Sequence, residues 1–129
     1  MNLQAASGKP SSVLIVDDDD EIRHVLRLLF EFEDFEVVGE AANGVDAVAQ
    51  AMKHEPDLIV LDYLMPRMDG EATAALLRSL LPQTRIVVFS AILESKPDWA
   101  DAYLNKDRIS DVAPLLNALI RERQARTSA

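Results

Sequence analysis

Short runs of apolar residues alternate along the chain with longer segments in which apolar residues recur every three or four positions. A short unbroken apolar run is typical of a parallel strand that is buried on both faces, whereas the longer spacing is typical of an amphipathic helix. The pattern predicts five strands, at residues 13–16, 35–40, 58–61, 85–90 and 102–104. Helices are predicted after each of the first three strands and at residues 108–126.

Each predicted helix has an apolar face that we expect to pack against the sheet. In chain order, the residues expected on these faces are Ile22, Val25, Leu26 and Leu29, then Val45, Val48 and Met52, then Ala75, Leu76 and Leu80, and finally Ile109, Val112, Leu116, Leu119 and Ile120. Asp19 or Asp20 is placed to cap the first helix, and Pro82 is expected to end the third.

The alternation of strands and helices predicts an α/β fold with a doubly wound, five-stranded parallel sheet and helices on both faces. The expected strand order is the flavodoxin-like 2-1-3-4-5. Residues 91–102, between the fourth and fifth strands, contain Pro97 and few apolar residues. At most a short helix fits there, so we expect the fourth helix of the fold to be shortened or missing.

Length, charge and composition limit the classes of protein to which the chain can belong. At 129 residues the chain fits one domain, predicted over residues 12–126 between a flexible tail at 1–11 and a short tail at 127–129. The net charge of -9 argues against direct binding to nucleic acid, which depends on basic residues. There is no Cys and no apolar run of the kind found in secretion signals or membrane spans, so we expect a cytoplasmic protein without membrane contact.

Acidic residues follow two of the predicted strands. Asp17 and Asp18 come after the first strand, and Asp62 comes after the third, its neighbour in the expected order. Two carboxylates about 4 Å apart repel each other by roughly 4 kcal/mol, so such a cluster needs a cation, a proton or a wider spacing. Carboxylate oxygens without nearby His or Cys favour Mg²⁺, or Mn²⁺, over zinc.

A hydroxyl and an ammonium group are expected at the same edge of the sheet. Ser90 ends the fourth strand, and Lys106 follows the fifth. Beside a metal-bound carboxylate, these two donors suit the oxygens of a transferring phosphoryl group. The arrangement therefore favours a carboxylate nucleophile that forms an acyl phosphate.

Five motifs, in this order, resemble those of the receiver domains of two-component response regulators, over about residues 11–125. They are the acidic pair Asp17 and Asp18, then Asp62, the loop at residues 65–70, Ser90 with Ala91, and residues 103–106. The resemblance implies that Asp62 is the phosphoacceptor. It also implies that Asp18 and Asp62 bind Mg²⁺ directly with the backbone carbonyl of Leu64, and that Asp17 acts through water.

The same resemblance implies roles for three residues on the last two strands. Lys106 would pair with the phosphoryl group, and Ser90 would hydrogen-bond it. Tyr103 would be the switch aromatic that turns inward when Ser90 shifts.

The function implied is that of a single-domain switch rather than an enzyme, although it assists its own phosphorylation and dephosphorylation. The expected donor is a sensor histidine kinase or a histidine phosphotransfer protein, and the expected output is binding to an unidentified protein, by a monomer or weak dimer. Two alternatives stay open: a receiver fragment of a longer DNA-binding response regulator, and a pseudo-receiver that binds proteins without phosphate chemistry. A flavin-binding protein is disfavoured because the acids at residues 17–21 would repel the flavin phosphate.

One departure from the family concerns the expected output surface. Lys106 follows Ser90 by 16 positions, whereas receivers usually have roughly six more, about one and a half helical turns. Because the fourth helix normally helps to form the signalling face, we expect that face to be altered. Trp99 lies in the shortened region and is expected to be a local packing anchor or, if half exposed, part of a partner contact.

Overall fold

The computed structural model describes residues 9–65 and 68–128. The strands are β1 (Ser12–Val16), β2 (Glu36–Ala41), β3 (Leu58–Leu61), β4 (Arg85–Ser90) and β5 (Ala102–Asn105). The helices are α1 (Asp20–Phe32), α2 (Gly44–His54), α3 (Gly70–Leu80) and α4 (Val112–Ser128), and a 3₁₀ helix (Lys106–Asp111) precedes α4. Each observed strand agrees with its predicted range to within one residue at either end.

All neighbouring strands pair in parallel, in the order β2-β1-β3-β4-β5. The predicted doubly wound, five-stranded sheet is therefore confirmed. Every residue of β3 is buried, as its unbroken apolar run indicated. In the central pairs, Leu61 lies opposite Val16 on one side and opposite Val88 on the other, so the three strands reach the same level of the sheet.

The first three helices begin at a side chain that accepts hydrogen bonds from the first turn. Asp19 accepts from the backbone N–H groups of Glu21 and Ile22. Asn43 does the same for α2, and Asp69 for α3. These caps satisfy donors that a helix N-terminus leaves unpaired, which is why the helices start at these residues.

The predicted inward faces of α2 and α3 are wrong at every residue except Val48, which is partly buried against the core. Of the residues predicted to face inward, Val45 and Met52 of α2 and Ala75, Leu76 and Leu80 of α3 are exposed. The buried positions are instead Gly44, Ala47 and Ala51 of α2, and Gly70, Thr73, Ala74 and Leu77 of α3. Small residues face the sheet because they allow the helices to lie close to it, and an apolar pattern built on large side chains cannot reveal that.

Helix α1 requires a smaller correction. Leu26 is buried as predicted, and Ile22 is partly buried, but Val25 is exposed and Phe30 takes a place in the core. The last helix begins at Val112 rather than at residue 108, because residues 106–111 form the 3₁₀ helix. Its predicted inward residues Val112, Leu116, Leu119 and Ile120 are buried.

The segment between β4 and β5, residues 91–101, contains no helix. The expectation of a shortened or missing fourth helix is thus confirmed. Trp99 is partly buried against the core cluster that α2 and α3 form with the sheet, in agreement with its predicted packing role. The Arg78 guanidinium of α3 donates to the Trp99 carbonyl at 2.9 Å, which holds the end of the segment against α3.

The predicted tails are only partly covered. Residues 1–8 and 129 lie outside the described part of the chain, and α4 extends to Ser128, past the predicted domain boundary at 126. Among the described residues, no helix combines the length and apolar character needed to cross a membrane.

Asp101 connects the end of the β4–β5 segment to the sheet, which leads to a prediction about stability. Its carboxylate accepts from Ile86 N–H at 2.8 Å and Arg78 Nη2 at 2.9 Å, and it pairs with Arg85 at 3.2 Å. Burial by itself would raise the Asp101 pKa, but the bonds from Ile86 and Arg78 outweigh it and hold the pKa below its ordinary value of 3.8. The ionised Asp101 carboxylate therefore stabilises the fold above about pH 4, and this stabilisation is lost as the pH falls through the lowered pKa of Asp101.

We expect Asp101→Asn to lower the free energy of unfolding by about 1–3 kcal/mol at neutral pH, because buried donors lose a charged acceptor. Urea denaturation of both proteins measures this, and the difference should shrink once the wild-type carboxyl is protonated in acid. Asp98→Asn, an exposed residue of the same segment, is the matched control. Equal losses in the two variants would contradict the role given to Asp101.

Candidate functional site

Backbone pairing places two acidic residues at the same edge of the sheet. The Asp17 N–H donates to the Ala41 carbonyl at 3.0 Å, and the Asp62 N–H donates to the Val16 carbonyl at 2.9 Å. Each bond continues the parallel pairing by one residue beyond the strand. The positions of Asp17 and Asp62 are therefore determined by the sheet itself and not by a flexible loop.

Asp17, Asp18 and Asp62 form a carboxylate cluster at this edge. Each offers an oxygen, and the three oxygens lie within 4.8 Å of one another. Asp17 and Asp62 are buried, with 1% and 6% of their surfaces exposed, whereas Asp18 is exposed. The predicted convergence is thus found, and the cluster opens to solvent on the side of Asp18.

Lys106 is the cation that contacts this cluster. Its Nζ lies 2.7 Å from Asp17 Oδ2 and 3.4 Å from Asp62 Oδ2, at the start of the 3₁₀ helix that follows β5. The contact with Asp17 is a close ion pair, and the buried Oδ2 accepts no other hydrogen bond within the described part of the chain. One ammonium against three carboxylates leaves the cluster negatively charged.

The charges in the cluster alter its protonation equilibria. Burial, followed by the nearby charge of Asp17, raises the pKa of Asp62 to about 6, although Lys106 acts in the opposite direction. Burial alone would lower the pKa of Lys106, but its interactions with Asp17 and Asp62 outweigh burial and raise it. Lys106 is therefore protonated at neutral pH, while ionised Asp62 lacks full compensation for its charge.

The donor set fits a hard divalent cation. The cluster supplies only carboxylate oxygens, with no His or Cys, which suits Mg²⁺ or Mn²⁺ better than zinc. The buried Asp17 Oδ2 has the Lys106 ammonium as its partner at 2.7 Å and accepts no other hydrogen bond among the described residues, so it retains a lone pair for a cation or its bound water. Leu64 lies two residues beyond Asp62 and is exposed, and its predicted carbonyl ligand role stays a prediction. Pro66 and Arg67 of the same loop lie outside the described residues.

Ser90 and Tyr103 both contact the β4–β5 segment. Ser90 is buried, and its Oγ accepts from the Ile92 N–H at 3.2 Å. The Tyr103 hydroxyl donates to the Leu93 carbonyl. Ser90 lies opposite Asn105 in the sheet, and Lys106 directly follows Asn105. Ser90 and Lys106 therefore lie at the edge of the sheet that carries Asp62. The signalling roles predicted for Ser90 and Tyr103 stay predictions.

Gly70 supports the site because its lack of a side chain allows a close contact with the residues that follow β3. It is the first residue of α3, and its N–H donates to the Tyr63 carbonyl at 2.7 Å. A Cβ at this position would lie 2.7 Å from both the Asp62 carbonyl oxygen and Tyr63 Cα. Glycine is therefore needed because the helix begins directly against the residues that follow β3.

Arg23 was missed by the analysis of the sequence. Its Nη1 donates to the Asp17 carbonyl at 2.6 Å, and its Nε donates to Glu40 at 3.3 Å. No motif or spacing in the sequence marks an arginine of an amphipathic helix as a contact of the preceding strand. The contact arises from how α1 packs against β1 and β2.

Comparison with known proteins supports the resemblance to receiver domains over most of the chain. The family model for the response regulator receiver domain matches residues 13–107. A putative transcriptional regulator of Pseudomonas aeruginosa is 48% identical over 80 residues, which cover 62% of this chain and 39% of that protein. Response regulator protein VraR of Staphylococcus epidermidis is 38% identical over 109 residues, which cover 78% of this chain and 52% of that protein.

Solved structures with similar folds include the response regulator domain of CheB from Thermotoga maritima. It has a TM-score of 0.77 and 29% identity, and the alignment covers 88% of this chain and 96% of that one. The chain spans about half the length, or less, of the two curated relatives above. With the family match covering most of its length, the chain belongs to the response regulator receiver domain family.

Proposed function

We propose that this chain is a phosphorylation-driven switch of two-component signalling, in which Asp62 accepts a phosphoryl group in a Mg²⁺-dependent reaction. The observation that carries the proposal is the meeting of Asp17, Asp18 and Asp62 around the Lys106 ammonium at the end of the sheet. Two of these acids are buried, and their mutual repulsion destabilises the fold unless a cation or a proton neutralises part of the charge. Binding a cation and attacking phosphorus is a use for such a group of acids.

The donor is a phosphorylated histidine of a sensor kinase or a phosphotransfer protein. An Asp62 carboxylate oxygen forms the new bond to phosphorus, the phosphorus–nitrogen bond breaks, and its electron pair returns to the donor imidazole. Mg²⁺ supplies positive charge to the phosphoryl oxygens when it is bound. Asp18, Asp62 and the carbonyl of Leu64 would bind the ion directly, and Asp17 would bind it through water.

Lys106 and Ser90 then bind the transferred group. In the unphosphorylated site Lys106 Nζ is shared between Asp17 and Asp62, so it is already positioned for the additional negative charge on Asp62. The Ser90 hydroxyl donates to a phosphoryl oxygen. Its present bond with the Ile92 N–H connects any movement of Ser90 to the β4–β5 segment.

The output surface is the β4–β5 segment with Tyr103. Phosphorylation shifts a two-state equilibrium of this segment, because Ser90 and Tyr103 contact its first residues through Ile92 and Leu93. The target is a protein whose identity is open, and a cytoplasmic location is part of the proposal.

A second candidate is the receiver part of a longer regulator. The matched relatives named above include a transcriptional regulator, and the chain spans about half their length or less. In that case the same switch acts on an attached DNA-binding domain instead of a separate partner. A pseudo-receiver without phosphate chemistry is less well supported, because it has no use for a buried acidic cluster.

The first prediction from the proposed function concerns the phosphoacceptor. Incubation with acetyl phosphate and Mg²⁺ should add the mass of one phosphoryl group to the intact protein, measured by mass spectrometry. Asp62→Asn should abolish the adduct because its amide is not a nucleophile. Asp69→Asn is the matched control, since Asp69 caps α3 outside the cluster and Asn is an equally good cap. An adduct that survives Asp62→Asn would refute the assignment.

The second prediction links pH, Mg²⁺ and stability. Without metal, the Asp62 pKa is about 6 in the folded protein, against an ordinary value of 3.8. As pH rises between these values the unfolded chain loses the proton first, so Asp62 increasingly destabilises the fold, fully so above about pH 6. Two pKa units correspond to at most about 3 kcal/mol. Asp62→Asn should therefore stabilise the metal-free protein at pH 7 and have little such effect below about pH 4.

Mg²⁺ binding should remove the destabilisation that ionised Asp62 causes in the wild-type protein. At a hundredfold excess over its Kd, a ligand of the native state adds about 2.7 kcal/mol, which is several degrees in Tm. The Tm of wild type and Asp62→Asn, measured with Mg²⁺ and with EDTA, gives the comparison. A wild-type Tm that is the same in both solutions would mean that the acids do not share a cation.

A further inference from the structure

Arg23 lies at the junction of three structural elements next to the carboxylate cluster. It belongs to α1, and only 14% of its side chain is exposed. Its Nη1 donates to the Asp17 carbonyl at 2.6 Å, its Nε donates to Glu40 Oε1 at 3.3 Å, and its Nη2 pairs with Asp20. A guanidinium this well covered is held by its hydrogen bonds in a single arrangement.

The partner Glu40 is itself held firmly. It is the penultimate residue of β2, next to Ala41, and its second carboxylate oxygen accepts from Arg27 Nε at 2.6 Å. Its backbone carbonyl accepts from Gln50 Nε2 of α2 at 2.6 Å. Arg23 is thus supported by α1 and, through Glu40, by β2 and α2.

This network determines the orientation of Asp17. The Asp17 N–H is bound by the Ala41 carbonyl, and Asp17 Oδ1 accepts from the Asp19 N–H at 2.9 Å. Arg23 binds the Asp17 carbonyl, the remaining polar group of the backbone. With these three groups occupied, Oδ2 is the Asp17 atom left for Lys106 and for a cation.

We infer that Arg23 is a positioning residue for the divalent cation: its guanidinium holds the Asp17 carbonyl so that the Asp17 carboxylate faces Asp62 and Asp18. Arg23 does not touch the cation or the phosphoryl group. Its positive charge, behind the run of acids at residues 17–21, also offsets part of their mutual repulsion. The inference rests on the proposed use of the cluster as a Mg²⁺ site.

Arg27 offers a matched control. It lies one turn further along α1 and binds the other oxygen of Glu40, but its recorded contacts are with Glu40 and Glu31 and not with Asp17. If Arg23 only joined α1 to β2, substitutions of Arg23 and Arg27 would have the same effect on Mg²⁺ binding. If Arg23 positions Asp17, only its substitution should weaken Mg²⁺ binding.

The test compares Mg²⁺ binding by wild type, Arg23→Gln, Arg23→Lys and Arg27→Gln, measured by calorimetry on the full chain, with circular dichroism and Tm as checks of folding. Partners that orient metal ligands typically change metal affinity by about 10–100-fold when removed. We expect Arg23→Gln to raise the Mg²⁺ Kd by about tenfold and Arg27→Gln to leave it within about twofold. Arg23→Lys keeps the charge but lacks the fork of donors, so its Kd should lie between those of wild type and Arg23→Gln.

A kinetic measurement provides a second readout. In phosphorylation by acetyl phosphate, Arg23→Gln should shift the half-saturating Mg²⁺ concentration upward by a similar factor while the rate at saturating Mg²⁺ stays near that of wild type. If Arg23→Gln does not fold, the same comparison is made between Arg23→Lys and Arg27→Gln. Equal Kd values for the Arg23 and Arg27 variants would overturn the inference alone, whereas a wild type that binds no Mg²⁺ would overturn the proposed function with it.

Discussion

Mutual repulsion of carboxylates is the constraint on which the rest of this structure depends. Neighbouring parallel strands β1 and β3 end at the same level, and each is followed by an aspartate whose backbone continues the sheet. Asp17 and Asp62 are therefore brought together by the hydrogen bonds of the sheet despite the repulsion between them. The ionised acids destabilise the fold locally at this edge, as the raised Asp62 pKa of about 6 indicates.

Several features limit that cost without removing it. Lys106 brings an ammonium from the end of β5 to within ion-pair distance of both buried acids. Arg23 adds a second positive charge behind Asp17 and occupies its carbonyl. Gly70 lets α3 begin against the residues after β3, where any side chain would collide with the backbone. The remaining negative charge is what makes the cluster suitable for a divalent cation.

The β4–β5 segment shows how the fold closes without a helix at this position. Trp99 packs against the α2–α3 core cluster, and Arg78 and Asp101 connect the end of the segment to α3 and β4. Its beginning is held by two hydroxyl groups, those of Ser90 and Tyr103. The end of the β4–β5 segment is therefore packed against the core, whereas its beginning is held by two hydrogen bonds. The beginning is the part of the segment next to the acidic cluster.

The sequence alone determined the strands, their order and the acidic residues at their ends, because an unbroken apolar run has few alternatives to a buried parallel strand and a parallel sheet brings its carboxyl ends together. It also indicated a shortened or missing fourth helix, since the segment that joins β4 to β5 contains Pro97 and few apolar side chains. Only the tertiary structure decided that Ala47, Ala51 and Ala74 face the core while Met52 and Leu76 do not, because the close approach of a helix to a sheet selects small residues that a count of large apolar side chains overlooks. The contact of Arg23 with Asp17 likewise depends on the packing of α1 beside β1 and β2, a relation between distant elements that no local pattern of residues encodes.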